Sequence, residues 1–330
     1  MKAMLQLTVS RETWKIRGTF RISRGARTHA EVILVSLVAD GATGVGECVP
    51  YARYGESLES VSAEIEGLRP DIEAGKLDRL SLQEALPPGA ARNALDCAFW
   101  DLEAKRSGKR VWELAGLPQP EPVTTAYTLS LDSVEAMAAK AAANARRPLL
   151  KLKLAGPEDL ERVRAVREAA PKSRLIVDAN EGWSLETYAE LAPQLGELGV
   201  VMIEQPLHAE LDAQLVGQAR PVLLCADESC HDRKSLPDLV GRYDMVNIKL
   251  DKTGGLTEAL ALKAEAERQG FKIMVGCMLG TSLAMAPAIL PAQGAEIVDL
   301  DGPLLLAEDR QPALTFQGSL LYPPKPALWG

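Results

Sequence analysis

Histidine is scarce in this chain. His29, His208 and His231 are the three in 330 residues. They are too scattered for a histidine-built metal centre, so loop or surface roles are expected of them. Five cysteines (Cys48, Cys97, Cys225, Cys230, Cys277) form an odd set without a CxxC pair. That argues against a disulfide framework or a zinc site and for buried thiols in a reducing compartment. No membrane-length run lacks a polar interruption, and Met1 to Thr8 holds no apolar core ending at a small-residue cleavage site. Neither a membrane span nor a secretory leader is expected, and the chain reads as cytoplasmic. A block of Lys and Arg is also missing, and the formal net charge is -8, which excludes the basic face a nucleic-acid binder needs. With 47% hydrophobic and 25% charged residues, the chain is an ordinary globular protein, long enough for one large domain and a smaller one. A small molecule is the expected partner, and a homo-oligomer stays open.

The pattern changes once along the chain. Strand-like runs fill residues 3–50, with Gly41 and Gly44 read as turns and an arginine-rich loop, Arg21 to Arg27, between the first strands. Helical patterns follow from Ser57, the best being Ala90 to Arg106, stopped by Ser107-Gly108. This is an antiparallel α+β unit. After the stiff Pro118-Gln119-Pro120-Glu121-Pro122 the chain alternates strand and helix. Strands are expected at 123–129, 149–154, 174–178, 200–204, 222–226, 245–249, 272–276 and 296–300. Helices such as 133–145, 157–169, 185–198 and 256–269 lie between them, with Pro157 suited to a first turn. A repeat of about 25 residues over eight strands points to a parallel (β/α)7β TIM-like barrel rather than an open sheet, and no GxGxxG follows its first strand. The expected division is a capping domain at 1–118, a barrel at 119–304, and a segment at 305–330 returning to the cap.

The strand Leu149 to Leu154 places Lys151 and Lys153 on one face by its period of two. Two buried ammonium groups need anions nearby; otherwise the lysines guard an exposed edge strand. Barrels place their active sites at the C-terminal ends of their strands, and those ends read Lys151 and Lys153, Asp178, Glu204, Asp227, Lys249, then Asp299 and Asp301. One such acid could be a helix N-cap. Three on consecutive strands, flanked by lysines, form an oxygen-only ligand set suited to Mg²⁺.

Lys151-Leu152-Lys153, Val177-Asp178-Ala179-Asn180, Ile203-Glu204-Gln205-Pro206, Ala226-Asp227-Glu228-Ser229 and Asn247-Ile248-Lys249 resemble the muconate-lactonizing subgroup of the enolase superfamily. Within it, Asp299-Leu300-Asp301-Gly302-Pro303, Tyr51 to Ser57 and Ala90 to Cys97 are similar to the dipeptide epimerases, of the L-Ala-D/L-Glu type that serves murein peptide recycling. The resemblance spans nearly the whole chain.

It implies an isomerase in which Mg²⁺ on Asp178, Glu204 and Asp227 chelates the substrate carboxylate and stabilises an enediolate, a Lewis-acid role typically worth several kcal/mol. Lys151 adds positive charge and lowers the pKa of Lys153. Lys153 and Lys249, from opposite sides of the barrel, remove and return the α-proton. Asp299 and Asp301 would take the free ammonium of the dipeptide, and Arg27, then Arg24, a side-chain carboxylate. Surface arginines and a turn cap are the plainer readings of those two groups. Competing functions are an N-acylamino-acid racemase or o-succinylbenzoate synthase on the same scaffold, and a non-catalytic binding barrel.

Overall fold

The structure is a computed structural model that describes residues 5–156 and 158–330. The expectation for Pro157 lies outside the described residues, as does the start of the N-terminal segment. Three antiparallel strands open the chain: β1 (Gln6–Ile22), β2 (Gly25–Ala39) and β3 (Ala42–Cys48). Their inner face, with Leu7, Ile33, Val35 and Leu37, packs on the helix Ala90–Ser107 and on Val61 and Ile65 of the helix Leu58–Gly67. The arginine segment is not a loop. Ile22 pairs with Gly25 across a hairpin whose turn is Ser23-Arg24, so Arg21 and Arg27 continue the two strands. Gly44 is no turn either. It lies in β3, where a Cβ at Gly44 or Gly46 would strike the backbone of the helix Ala90–Ser107 at Ala98 or Ala94. Close packing, not bending, requires glycine there.

The expected strand 123–129 is two elements. β4 (Val123–Thr124) pairs with a C-terminal strand, whereas β5 (Tyr127–Leu129) opens the barrel. The break falls where hydrogen-bond partners change: Thr125 N donates to Ser319 O, and Ala126 N to Val298 O. From β5 the parallel sheet runs β6 (Leu149–Lys153), β7 (Arg174–Asp178), β8 (Val200–Glu204), β9 (Leu223–Ala226), β10 (Met245–Ile248), β11 (Lys272–Gly276) and β12 (Ile297–Asp299). The Ala126 to Val298 bond draws its two edges together. Met202, Cys225, Met245 and Met274 fill the interior toward the strand starts, so the lumen is packed and the polar groups gather at the strand ends. The chain closes with β13 (Phe316–Gln317) and β14 (Leu320–Leu321), which pairs β4. The last residues reach the cap's long helix: Trp329 Nε1 donates to Cys97 O, and Gly330 N to Asp101.

Candidate active site

β6 is flanked by β5 and β7, and all five of its residues are buried, which excludes the edge-strand reading. Parallel register sets Lys153 beside Asp178 and Asp178 beside Glu204. Asp227 directly follows β9. One ligand atom from each of Asp178, Glu204 and Asp227 lies within 4.8 Å of the others. The Lys153 ammonium is 2.6 Å from Asp178 Oδ2, and Lys249 is 2.6 Å from Asp227 Oδ2. Lys151 stands 2.6 Å from Glu204 Oε2, 2.8 Å from Asp299 Oδ2 and 3.2 Å from Asp178 Oδ2.

Titration here is a contest between burial and charge. Burial pushes Glu204 up to about 7, with Asp178 and Asp227 adding to the shift and Lys151 opposing it. Burial also works against ionised Asp178, yet Lys153 and Lys151 prevail and hold it down to about 2. Burial opposes the Lys249 charge, but Asp227 and Glu204 outweigh it and raise its pKa. The residues fit a hard divalent cation: three buried carboxylates converge without a soft donor, and Glu204 Oε2 is buried in an ion pair with Lys151 but accepts no hydrogen bond of proper geometry among the described residues.

Above the carboxylates a cavity of about 460 Å³ is lined by Lys153, Asp227 and Lys249 from the barrel and by Phe20, Arg24, Arg27, Tyr51 and Tyr54 from the cap. Arg24 is committed. It donates to Glu228 Oε1 (2.6 Å), Asn180 O (2.7 Å), Tyr51 Oη (2.9 Å) and Glu181 (3.1 Å). Arg27 is exposed, and its guanidinium lies 5.5 Å from the Tyr51 ring centre. Asp299 and Asp301 are not among the wall residues. Asp299 Oδ2 answers Lys151, while its Oδ1 is buried without a hydrogen bond among the described residues. Asp301 accepts from Thr128 N, and burial, with Asp299 adding, pushes it up to about 7. Four cysteines are buried, and Cys277, half-buried, lines the cavity.

Sequence reasoning missed the groups that hold these residues. Asn247 donates to Glu204 Oε1 at 2.8 Å, and its place two residues before Lys249 was the available signal. Lys252 donates to Asp227 Oδ1 at 2.7 Å; it lies one helical turn beyond Lys249, a spacing that would have placed both on one side. Glu181 binds Arg53 through both carboxylate oxygens at 2.7 and 2.8 Å, tying the turn after Tyr51 to the loop after β7. No local pattern announces that contact.

Two family profiles match the chain: the mandelate racemase/muconate lactonizing enzyme N-terminal domain over residues 4–116, and the enolase C-terminal domain-like family over 133–324. The chain belongs to the enolase superfamily. Among superfamily members it is 50% identical over 315 residues to the L-Ala-D/L-Glu epimerase of Escherichia coli, covering 95% of this chain and 98% of that enzyme. It is 47% identical over 300 residues to an N-acetyl-D-glutamate racemase from Pseudoalteromonas, with coverage of 90% and 95%. A crystal structure from Agrobacterium tumefaciens, an enolase family member with homology to dipeptide epimerases, superposes with a TM-score of 0.97 at 56% identity over 99% of this chain and all of that one. It holds sodium, L-Ala-L-Glu and an ordered loop. Dipeptide epimerases at 28% identity have been solved with Mg and a dipeptide.

Proposed function

We propose that this protein is a Mg²⁺-dependent dipeptide epimerase that inverts the α-carbon of the C-terminal residue of L-Ala-D/L-Glu by proton transfer between Lys153 and Lys249. The carrying observation is the arrangement of these lysines on β6 and just after β10, on either side of the carboxylates from β7, β8 and β9. Strands four places apart in an eight-stranded barrel face each other, so the lysines can address opposite faces of one carbon. The identity to the E. coli enzyme and the L-Ala-L-Glu in the Agrobacterium structure support the substrate.

Bound Mg²⁺ supplies Lewis acidity toward the substrate carboxylate and offsets the anionic charge that keeps Lys249 protonated. Lys151 adds a fixed positive charge beside that carboxylate. One lysine, neutral, takes the α-proton; the other, as ammonium, delivers a proton to the opposite face and the centre inverts. Asp299 Oδ1, without a hydrogen bond among the described residues, and Asp301 next to it are the proposed acceptors for the free ammonium of the first residue. Arg27, free of ion pairs with described residues, suits the glutamate side chain better than Arg24, which already carries Glu228 and Glu181. A role in recycling murein peptides in the cytoplasm follows from that substrate.

The test is kcat/KM for L-Ala-L-Glu against N-acetyl-L-Glu, in the wild type and in Asp299→Asn/Asp301→Asn. The free dipeptide should be strongly preferred, and the double variant should lose most of that preference, on the order of 2–5 kcal/mol for a buried charge pair that loses one partner. Equal use of both substrates by the wild type would replace the dipeptide reading with acyl-amino-acid racemisation.

A further inference from the structure

Each of the three ligand carboxylates has one oxygen tied by the chain and one turned toward a lysine ammonium. Asp178 Oδ1 accepts from the Asn180 backbone N–H at 2.9 Å, Glu204 Oε1 from Asn247 Nδ2 at 2.8 Å, and Asp227 Oδ1 from Lys252 Nζ at 2.7 Å. The other three oxygens, Asp178 Oδ2, Glu204 Oε2 and Asp227 Oδ2, lie 2.6 Å from Lys153, Lys151 and Lys249 respectively. Each carboxylate thus has two separate partners, although at Asp227 both are lysine ammonium groups. Both side-chain ties come from the short stretch 247–252 that also carries Lys249.

Lys252 is the less expected of the two. Its side chain is fully buried, and its ammonium is shared among Asp227 Oδ1, the Asp227 carbonyl and the Asn247 carbonyl. Burying an ammonium group beside a cation site costs more than burying an apolar side chain there. The facing oxygen of each carboxylate must exchange its lysine for the metal, and a second metal bond through the tied oxygen would require surrendering a further charge-assisted hydrogen bond. Mg²⁺ demands near-ideal octahedral geometry, whereas Ca²⁺ accepts more ligands and bidentate carboxylates. Three carboxylates held to one oxygen each leave about three of six octahedral positions open, enough for both oxygens of a substrate carboxylate and one water.

We propose that Asn247 and Lys252 are positioning residues that force Glu204 and Asp227 to bind the metal through one oxygen each, and so set both the choice of Mg²⁺ over Ca²⁺ and the number of positions left to the substrate. This rests on the metal site alone and not on the dipeptide reading, and metal binding without substrate tests it. Removing the Lys252 charge strengthens both cations alike, so the ratio of their affinities carries the information. Titrate the purified protein calorimetrically with Mg²⁺ and with Ca²⁺, and count metal-bound waters on Mn²⁺ by electron–nuclear double resonance. Lys252→Met should shift the ratio toward Ca²⁺ by about tenfold or more, the lower end of what an outer-shell partner usually contributes, and should cost Mn²⁺ one water. Lys252→Gln, which keeps an N–H donor without the charge, should restore both. Asn247→Ala frees Glu204 Oε1 with no change of charge and should act like Lys252→Met; it decides the matter should the buried methionine prevent folding. An unchanged ratio and water count in the folded variants, or a glutamine variant as shifted as the methionine one, would overturn the proposal.

Discussion

The two walls of the cavity are built on different principles. On the barrel side Lys151, Lys153 and Lys249 are at most 7% exposed, stand at the ends of ladder-bonded strands, and meet carboxylates fixed by further donors. On the cap side Arg24 and Arg27 project from a hairpin, and both are exposed. Arg24 is held by long side chains from separate loops, and Arg27, among the described residues, by an aromatic face. The barrel side can hold reacting groups to fractions of an ångström, as proton transfer requires. Arg27, at least, can change at small cost, which suits the choice of substrate side chain. Chemistry and selectivity should therefore separate under mutation.

The largest effect is expected from Lys153→Ala or Lys249→Ala. Each should lower epimerisation by about 10³-fold or more, in the range general acid–base groups command, while keeping α-proton exchange in D₂O from one stereoisomer only. Near wild-type interconversion of both isomers by Lys249→Ala would remove the two-base scheme and the distinction between the walls with it.

Arg27→Ala should leave turnover of small dipeptides almost intact and reduce the preference for L-Ala-L-Glu over L-Ala-L-Leu by about fivefold, since a solvent-exposed ion pair is worth about 1 kcal/mol. An unchanged preference would move the side-chain contact elsewhere on the cap.

The smallest effect on turnover is expected at the seam between the walls, where stability responds instead. Asp251 Oδ1 accepts from Val49 N and Asn93 Nδ2 of the cap. Burial pushes its carboxyl up to about 7 against those two bonds, with Glu56 and Glu47 adding to the shift. A carboxyl raised in the folded state contributes its stability in full below its ordinary value of 3.8 and loses it as pH rises through about 7. Asp251→Asn should remove that loss, so its melting temperature should gain on the wild type between about pH 5 and about pH 8, by the equivalent of on the order of 3 kcal/mol at most. A difference in Tm that is constant across that range would show that Asp251 does not titrate there.

The barrel and its ring of charges were legible because both are periodic. A βα unit recurs about every 25 residues, and the inward face of a strand recurs every second residue. Lys151, Lys153, Asp178, Glu204, Asp227 and Lys249 could thus be assigned to strand ends from spacing alone, and their motifs matched to a superfamily. Contacts between distant segments carry no such period. Asn247 on Glu204, Lys252 on Asp227, Lys151 on Asp299 and Glu181 on Arg53 span 43, 25, 148 and 128 residues, and only the closed barrel with its cap seated on top brings them together. The same holds for Gly44, whose reason is the helix pressed against it, and for the split of 123–129, where the chain changes hydrogen-bond partners. Local pattern determined which residues face inward at each strand end. Tertiary packing decided which oxygen of each carboxylate is held, and that Arg24 rather than Arg27 is bound into ion pairs with described residues.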